Sequence, residues 1–260
     1  MEEQKILVAA PISEHCEYCI EKFLKSIKEI DYPNYDILLI DNSRNHEFVN
    51  SLKKKHANVL FNYLKLKEKF NLERVCITRN KILEFALKNN YSHVLMLDSD
   101  VIVPKNILRE LIGESKGIVS GLYYGAKNIN GVIKEVPICW KLLNKEEFDE
   151  IKSKVNLPQT IKELKDLPRH ITKEEIGKGG IQEVFFPSPG CMLISKKVFS
   201  KIKYSINDMG NRLIAEDTSF FLDCYNQGIK MYCRPDLLCE HLYKEKYEKD
   251  GVNPCFKHED

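Results

Sequence analysis

The chain has 260 residues, 43% of them hydrophobic and 30% charged, with a net charge of +2. This composition excludes a disordered chain and a bulk polycation built for nucleic acid. No apolar run is as long as a membrane span, and the opening MEEQKILVAAP is too acidic, and too short in its apolar part, for a signal peptide. The nine cysteines are therefore expected as reduced thiols in a cytoplasmic protein. Cys16 and Cys19 form a C-x-x-C beside His15, but no second pair follows at zinc-ribbon spacing, so they read as packing residues of a helix.

In chain order, residues 5–10 read as an apolar strand broken by Pro11. Ser13 suits an N-cap, and Ile20, Phe23, Leu24, Ile27 and Ile30 then recur at helical spacing. A second strand over 35–40 ends in Asp41-Asn42-Ser43, a short helix surrounds Phe48, Val49 and Leu52, and a third strand covers 59–64. The next helix, over 73–88, carries Val75, Ile82, Leu83 and Ala86 on one side. Strand alternating with helix predicts an α/β fold with a mostly parallel sheet and helices on both faces.

Residues 93–97 form a short buried-strand pattern that stops at Asp98-Ser99-Asp100. On an extended chain Asp98 and Asp100 point the same way, and two adjacent carboxylates call for a cation between them. Oxygen ligands suit Mg²⁺ or Mn²⁺, and strand ends are where open α/β sheets bind ligands. Two solvated loop aspartates would give the same three letters.

Pro104 opens a helix to Ile112, and 117–124 reads as a further strand. Residues 141–180 are rich in Lys and Glu and poor in apolar residues, which suggests a mobile, lid-like insertion with short helices or an idle surface loop. Strands follow at 182–186 and 191–194, and a helix over 197–202. Glu216-Asp217 open a helix capped by Gly228, and two short strands, 229–233 and 237–239, lead to Glu240-His241. One domain is expected over 1–260. It divides into a first half, 1–120, and a second, 121–243, with 244–260 a polar tail.

The order of these features resembles the GT-A-type glycosyltransferases, and among them the inverting enzymes of glycosyltransferase family two. The resemblance runs through Val8-Ala9-Ala10-Pro11, Asp41-Asn42-Ser43, Thr78-Arg79-Asn80, Leu97-Asp98-Ser99-Asp100, the strand beginning Gly190-Cys191, Ala215-Glu216-Asp217 and His241. It departs at Asn42, where the family often has a second acidic residue. It implies a GT-A-type, Rossmann-like single domain that moves a sugar from a sugar nucleotide to a carbohydrate, lipid-linked or protein acceptor. Nucleic acid is not an expected partner.

By the same resemblance, Asp98 and Asp100 with His241 would hold Mn²⁺ or Mg²⁺ against the donor diphosphate. Pro11, Asp41, Arg79 and Ser99 would lie along the nucleotide. Asp217 would take the acceptor's proton with Glu216 beside it. Gly190 and Trp140 would border the sugar or acceptor, with Tyr123 and Tyr124 as stacking or core residues. Two rival enzymes share parts of the pattern. A haloacid dehalogenase-like phosphatase would use Asp98 as nucleophile, but its motif closes the first strand of the domain and here about ninety residues precede it. A sugar nucleotidyltransferase would want a glycine-rich loop near the N-terminus, and residues 8–13 contain no glycine. A carbohydrate-binding protein with a decayed site is the non-catalytic alternative; the joint presence of Asp98, Asp100, Asp217 and His241 speaks against it.

Overall fold

A computed structural model describes residues 3–66, 69–129, 131–155, 167–208 and 213–243. The first half runs β1 (Ile6–Ile12), a 3-10 turn (Glu14–Cys16), α1 (Ile20–Lys28), β2 (Tyr35–Asp41), α2 (Glu47–Lys55), β3 (Leu60–Tyr63), α3 (Asn71–Lys88) and β4 (His93–Leu97). Next come β5 (Val101–Ile102), α4 (Ile107–Gly113), β6 (Ile118–Leu122), β7 (Tyr124–Ile129), β8 (Val132–Pro137), β9 (Trp140–Leu142), α5 (Lys145–Lys154), β10 (Pro168–His170) and α6 (Lys173–Gly177). The chain continues through β11 (Gln182–Val184), β12 (Cys191–Ser195), α7 (Lys196–Phe199), β13 (Asn207–Asp208), β14 (Leu213–Ile214), α8 (Glu216–Asn226), β15 (Met231–Leu238) and β16 (Glu240–His241).

Eight strands form the central sheet in the order β11-β15-β6-β12-β4-β1-β2-β3. It is mostly parallel; β12 runs against β4 and β6, and β11 against β15. β1 shows why the sheet is covered on both faces. Its alternate residues Ile6, Val8, Ala10 and Ile12 enter one core with α1, α2 and α4, while Leu7 and Ala9 enter another with α3, α7 and α8. Each fully buried Leu or Ile contributes about 1.5–3 kcal/mol, so a strand apolar on both sides belongs in the middle of the sheet.

Several local expectations give way. β1 runs through Pro11 to Ile12, because β4 pairs with it only from Ile6 to Ala9 and the strand then has one neighbour, β2. Ser13 caps no helix; the chain makes the 3-10 turn first, and α1 starts only at Ile20. The strand over 117–124 divides into β6 and β7, and β7 turns back at Gly131 (φ 82°) into β8 as a separate hairpin. The two short strands before His241 are one, β15, with a register shift between Cys233 and Leu238. Pro235 lies inside that unpaired interval, where a missing N–H costs little. Within 141–180, β9 pairs with β10, and α5 and α6 each begin with a capping box, at Asn144 and Thr172. Residues 156–166 of that insertion, and the tail from 244, lie outside the described residues.

Candidate active site

The site is assembled on α3. Three consecutive residues of a helix face three directions, about 100° apart, and here each ties down a different loop. Thr78 donates its hydroxyl to the Arg74 carbonyl (2.6 Å) and accepts from the Asn42 amide (3.1 Å). Arg74 also donates to the Asn42 carbonyl at 3.2 Å, so the turn after β2 is held twice. Asn80 pairs with the backbone of Tyr204 in both directions, at 2.8 and 2.9 Å. Arg79, 3% exposed, donates to Asp98 Oδ1 at 2.6 Å and brings its Nε to 3.6 Å from Glu216 Oε1, with its guanidinium 5.3 Å from the Tyr204 ring centre. One buried cation therefore joins the turn after β4 to the start of α8.

Asp98 and Asp100 take different partners. β4 ends at Leu97, and the chain turns so that Val101 N–H donates to the Asp98 carbonyl at 3.0 Å. An extended geometry would have aligned the two side chains; the turn sends Asp98 to Arg79 and Asp100 to His241. Ser99 is buried and points into the body, its hydroxyl bonded to Cys16 Sγ at 2.8 Å and its carbonyl accepting the Cys19 thiol at 3.3 Å. Cys16 and Cys19 thus back this turn instead of lying on a helix face.

The last described strand lies along the same turn. β16 pairs antiparallel with β5, and Leu242 N–H donates to the Asp100 carbonyl at 2.8 Å. This places His241 Nε2 3.5 Å from Asp100 Oδ2, with Nδ1 3.2 Å from the Tyr124 carbonyl. A carbonyl only accepts, so Nδ1 carries the hydrogen and Nε2 is the atom facing Asp100. Burial works against charge on this imidazole, but Asp100 and Asp98 outweigh it and hold its pKa above the ordinary value. A carboxylate and an imidazole nitrogen are a donor set suited to Mn²⁺. Among the described residues, no three His, Cys, Asp or Glu stand close enough to form a ready-made cation cluster.

Gly190 explains how closely Asp98 is packed. A Cβ there would stand 2.7 Å from Asp98 Oδ2 and 3.0 Å from the Tyr123 hydroxyl, so only glycine fits. Its carbonyl accepts from Asp98 N–H at 3.0 Å, and its N–H donates to the buried Tyr123 hydroxyl at 3.2 Å. Asp217 is half-buried at the N-terminus of α8 and accepts from Thr218 N–H at 2.5 Å. Glu216 beside it is buried, and burial, opposed by Arg79, pushes its pKa up to about 7. Asp217 and Asp98 are near enough to raise it further.

Asp41 is sealed from solvent at the end of β2, its Oδ1 taking both the backbone N–H (2.9 Å) and the hydroxyl (2.5 Å) of Ser43. Pro11 lies opposite Ile40 in the β1–β2 register. Trp140 sits in an aromatic group with His170 (ring centres 4.9 Å apart) and Phe186 (6.5 Å), and Phe186 stacks on Phe221 of α8 at 5.5 Å. Ser43, whose hydroxyl accepts Glu14 N–H at 2.8 Å, stands in the Asp41-Asn42-Ser43 motif, whereas Glu14 has no site signal of its own in the sequence. An acidic residue after a strand looks like ordinary helix-start chemistry, and only the fold brings it to β2.

A family model described as glycosyl transferase family 2 matches residues 14–203, nearly three quarters of the chain. The chain belongs to glycosyl transferase family 2. The fold is also that of the S. aureus TarS 1–349 structures. The complex with UDP-GlcNAc aligns at a TM-score of 0.54 and 16% identity, over 93% of this chain and 59% of that one. The complex with UDP aligns at 0.53 and 15%, over 95% and 63%. The family 2 chain thus spans about three fifths of the TarS structures it resembles, and the likeness shows the GT-A arrangement of the sheet. No curated protein matches the chain. Family membership leaves the phosphatase and nucleotidyltransferase readings without support. No helix among the described residues is long and apolar enough to cross a membrane.

Proposed function

We propose that this family 2 protein transfers a sugar from a nucleotide-diphosphate donor to a hydroxyl acceptor in one displacement that inverts the anomeric centre. The observation that carries this reading is the single arginine, Arg79, shared by Asp98 and Glu216, which joins the donor-side turn to the helix bearing Asp217. The acceptor oxygen forms its bond to the anomeric carbon while the bond to the diphosphate oxygen breaks. The acceptor's proton passes to the Asp217 carboxylate. Glu216 is buried on Arg79 and orients the start of α8; it is not the base.

Asp100 and His241, with Asp98 directly or through water, would hold Mn²⁺ or Mg²⁺; a divalent cation there neutralises charge growing on the leaving diphosphate. Arg79 acts through Asp98, because its guanidinium is already enclosed. Trp140 with its aromatic neighbours, and Gly190 beside Asp98, border the acceptor side. TarS has been crystallised with UDP-GlcNAc and with UDP. A UDP-sugar is therefore the first donor to try, with carbohydrate, lipid-linked and protein acceptors, in the setting of a cytoplasmic enzyme. The test is the product's anomeric configuration by NMR, together with donor binding before and after chelation. Inversion and metal-dependent binding are expected; retention, or donor binding indifferent to chelator, overturns the corresponding half of the reading.

A further inference from the structure

We propose that Cys16 and Cys19 are a redox-modification site: a peroxide converts the pair to a disulfide, and the new bond loosens the Asp98-Ser99-Asp100 turn that the two sulfurs support. The backbone already suits the bond. Cys19 N–H donates to the Cys16 carbonyl at 3.0 Å and closes a four-residue turn. Such a turn keeps its end Cα atoms within about 7 Å, close to the span of about 4.4–6.8 Å that a disulfide bridges. Both sulfurs face one residue, Ser99. Its hydroxyl donates to Cys16 Sγ at 2.8 Å. Cys19 Sγ stands 3.3 Å from the Ser99 carbonyl and 3.2 Å from that of Cys16, with one hydrogen to give to either. The same turn also reaches the strand that carries His241. Tyr18, between the two cysteines, donates its hydroxyl to the Leu242 carbonyl at 3.2 Å, and Leu242 N–H holds the Asp100 carbonyl.

The two thiols differ in the way a reactive pair requires. Cys16 is partly exposed and Cys19 is buried. The other six cysteines among the described residues are buried as well, so an oxidant arriving from solvent meets Cys16 first. The Cys19 thiol beside it is the largest influence on Cys16 and, against burial, keeps its pKa below the ordinary value. Cys16 is thus the sulfur that attacks and Cys19 the one that resolves. In the first step the Cys16 thiolate attacks a peroxide oxygen. An S–O bond forms, the O–O bond breaks, and the departing hydroxide takes up the proton that Cys16 released on ionising. In the second, Cys19 Sγ attacks Cys16 Sγ. The S–S bond forms, the S–O bond breaks, and the hydroxide leaves as water with the Cys19 proton. The two thiols lose two electrons and the peroxide becomes two waters; a dithiol reverses the change by exchange and is itself oxidised. The disulfide draws the sulfurs to about 2.05 Å. It removes the Cys19 hydrogen and turns Cys16 Sγ from Ser99 toward Cys19, so the turn loses its support on both sides of Ser99. Formation of the bond is independent of the function proposed above; its effect on nucleotide binding rests on that reading.

The experiment treats the full chain with hydrogen peroxide and maps its disulfides by peptide mass spectrometry. Amide hydrogen exchange is then followed in the segments containing Val101 and Leu242, whose N–H groups hold the turn, and binding of UDP and of GDP with Mn²⁺ is measured by calorimetry. Oxidised wild type should carry a bond between Cys16 and Cys19. Exchange in both segments should quicken, and nucleotide should bind about 10-fold more weakly, the worth of one or two lost hydrogen bonds. Dithiothreitol should restore both. Cys19→Ser keeps a donor for Ser99 but forms no disulfide, and dimedone should trap its Cys16 as the sulfenic acid adduct. No bond between the two cysteines, a bond from either to another cysteine, or a mapped bond that leaves exchange and binding unchanged overturns the proposal. An adduct on a residue other than Cys16 overturns the assignment of the attacking thiol. If the reduced protein binds neither nucleotide, the donor-binding function is what fails, and a mapped bond with faster exchange still upholds this inference.

Discussion

The carboxylates of the candidate site fall into two layers that behave differently. Asp41 and Glu216 are sealed, 0% and 6% exposed, and their partners are the Ser43 hydroxyl and the Arg79 guanidinium respectively. Asp98, Asp100 and Asp217 keep part of their surface in water. The sealed layer costs desolvation, offset at Asp41 Oδ1 by Ser43 and at Glu216 by Arg79. The open layer is what a donor, a cation or an acceptor can reach. In an Asp-x-Asp or Glu-Asp pair, adjacency in sequence therefore says little about role: one member of Glu216-Asp217 is structural and the other is available for chemistry. Arg79 is the link between the layers, since it holds one carboxylate of each.

The comparison is broken most severely on the open side. Asp217→Asn keeps size and packing but cannot take a proton, and turnover should fall about 10²–10⁴-fold with donor affinity nearly unchanged. Steady-state kinetics beside calorimetric donor binding separates the two quantities. A donor affinity that fell in parallel with turnover would place Asp217 on the donor, contrary to the division drawn here.

Next is the link. Arg79→Met retains bulk while stranding Glu216 and Asp98 without their cation. Removing one partner of a buried pair costs about 3–5 kcal/mol, so urea unfolding should show a large loss. At a pH well above 7, where Glu216 is driven to ionise, the companion Arg79→Met/Glu216→Gln should recover part of it, because one stranded charge is gone. If the double variant is no more stable than the single, Arg79 and Glu216 are not coupled and the two layers are independent. Smaller again is Gly190→Ala, where the added methyl meets Asp98 Oδ2 at 2.7 Å. Overpacking of this kind costs about 1–3 kcal/mol, and the aspartate is the group that must give way. Nucleotide affinity in the presence of Mn²⁺ should drop together with stability; a stable variant with unaltered affinity would show that Asp98 tolerates displacement.

Much of the sealed layer and the fold was legible in the sequence. The run through Leu97 and the β1 residues Ile6 to Ala10 are apolar on both faces, which is enough to predict a central strand of a covered parallel sheet. Thr78-Arg79-Asn80 was recognisable as a unit, though not its geometry. Three things were not legible, each for a physical reason. The pattern at residues 98–100 reads as extended, and one backbone reversal is enough to send Asp98 and Asp100 to different partners. Glu14 and Ser43 lie 29 positions apart and meet only because β1 and β2 pair in register. The aromatic group of Trp140, His170 and Phe186 joins the β9–β10 pair to a later bridge, and local propensity has no access to such a contact.

The smallest expected effect concerns the sealed layer alone and is read from pH. Burial raises Glu216 from the ordinary carboxyl value of 4.5 to about 7, while Arg79 opposes and Asp217 and Asp98 reinforce the shift. Between those two pH values the folded protein holds a proton that the unfolded chain has released. Stability from this group is therefore present at low pH and is lost as pH rises toward 7. Glu216→Gln lacks that proton and serves as the reference, cancelling the titration of the remaining acids. The shift sets a ceiling of about 3 kcal/mol, and adjustment of Arg79 and Asp98 should reduce the observed change to on the order of 1 kcal/mol. Wild-type Tm minus variant Tm should decline from pH 5 to pH 7 and then level off. A difference that stays flat over this interval would mean that Arg79 holds Glu216 ionised throughout. Glu216 would then belong with the open carboxylates, and the boundary between the layers would fall at Asp41 alone.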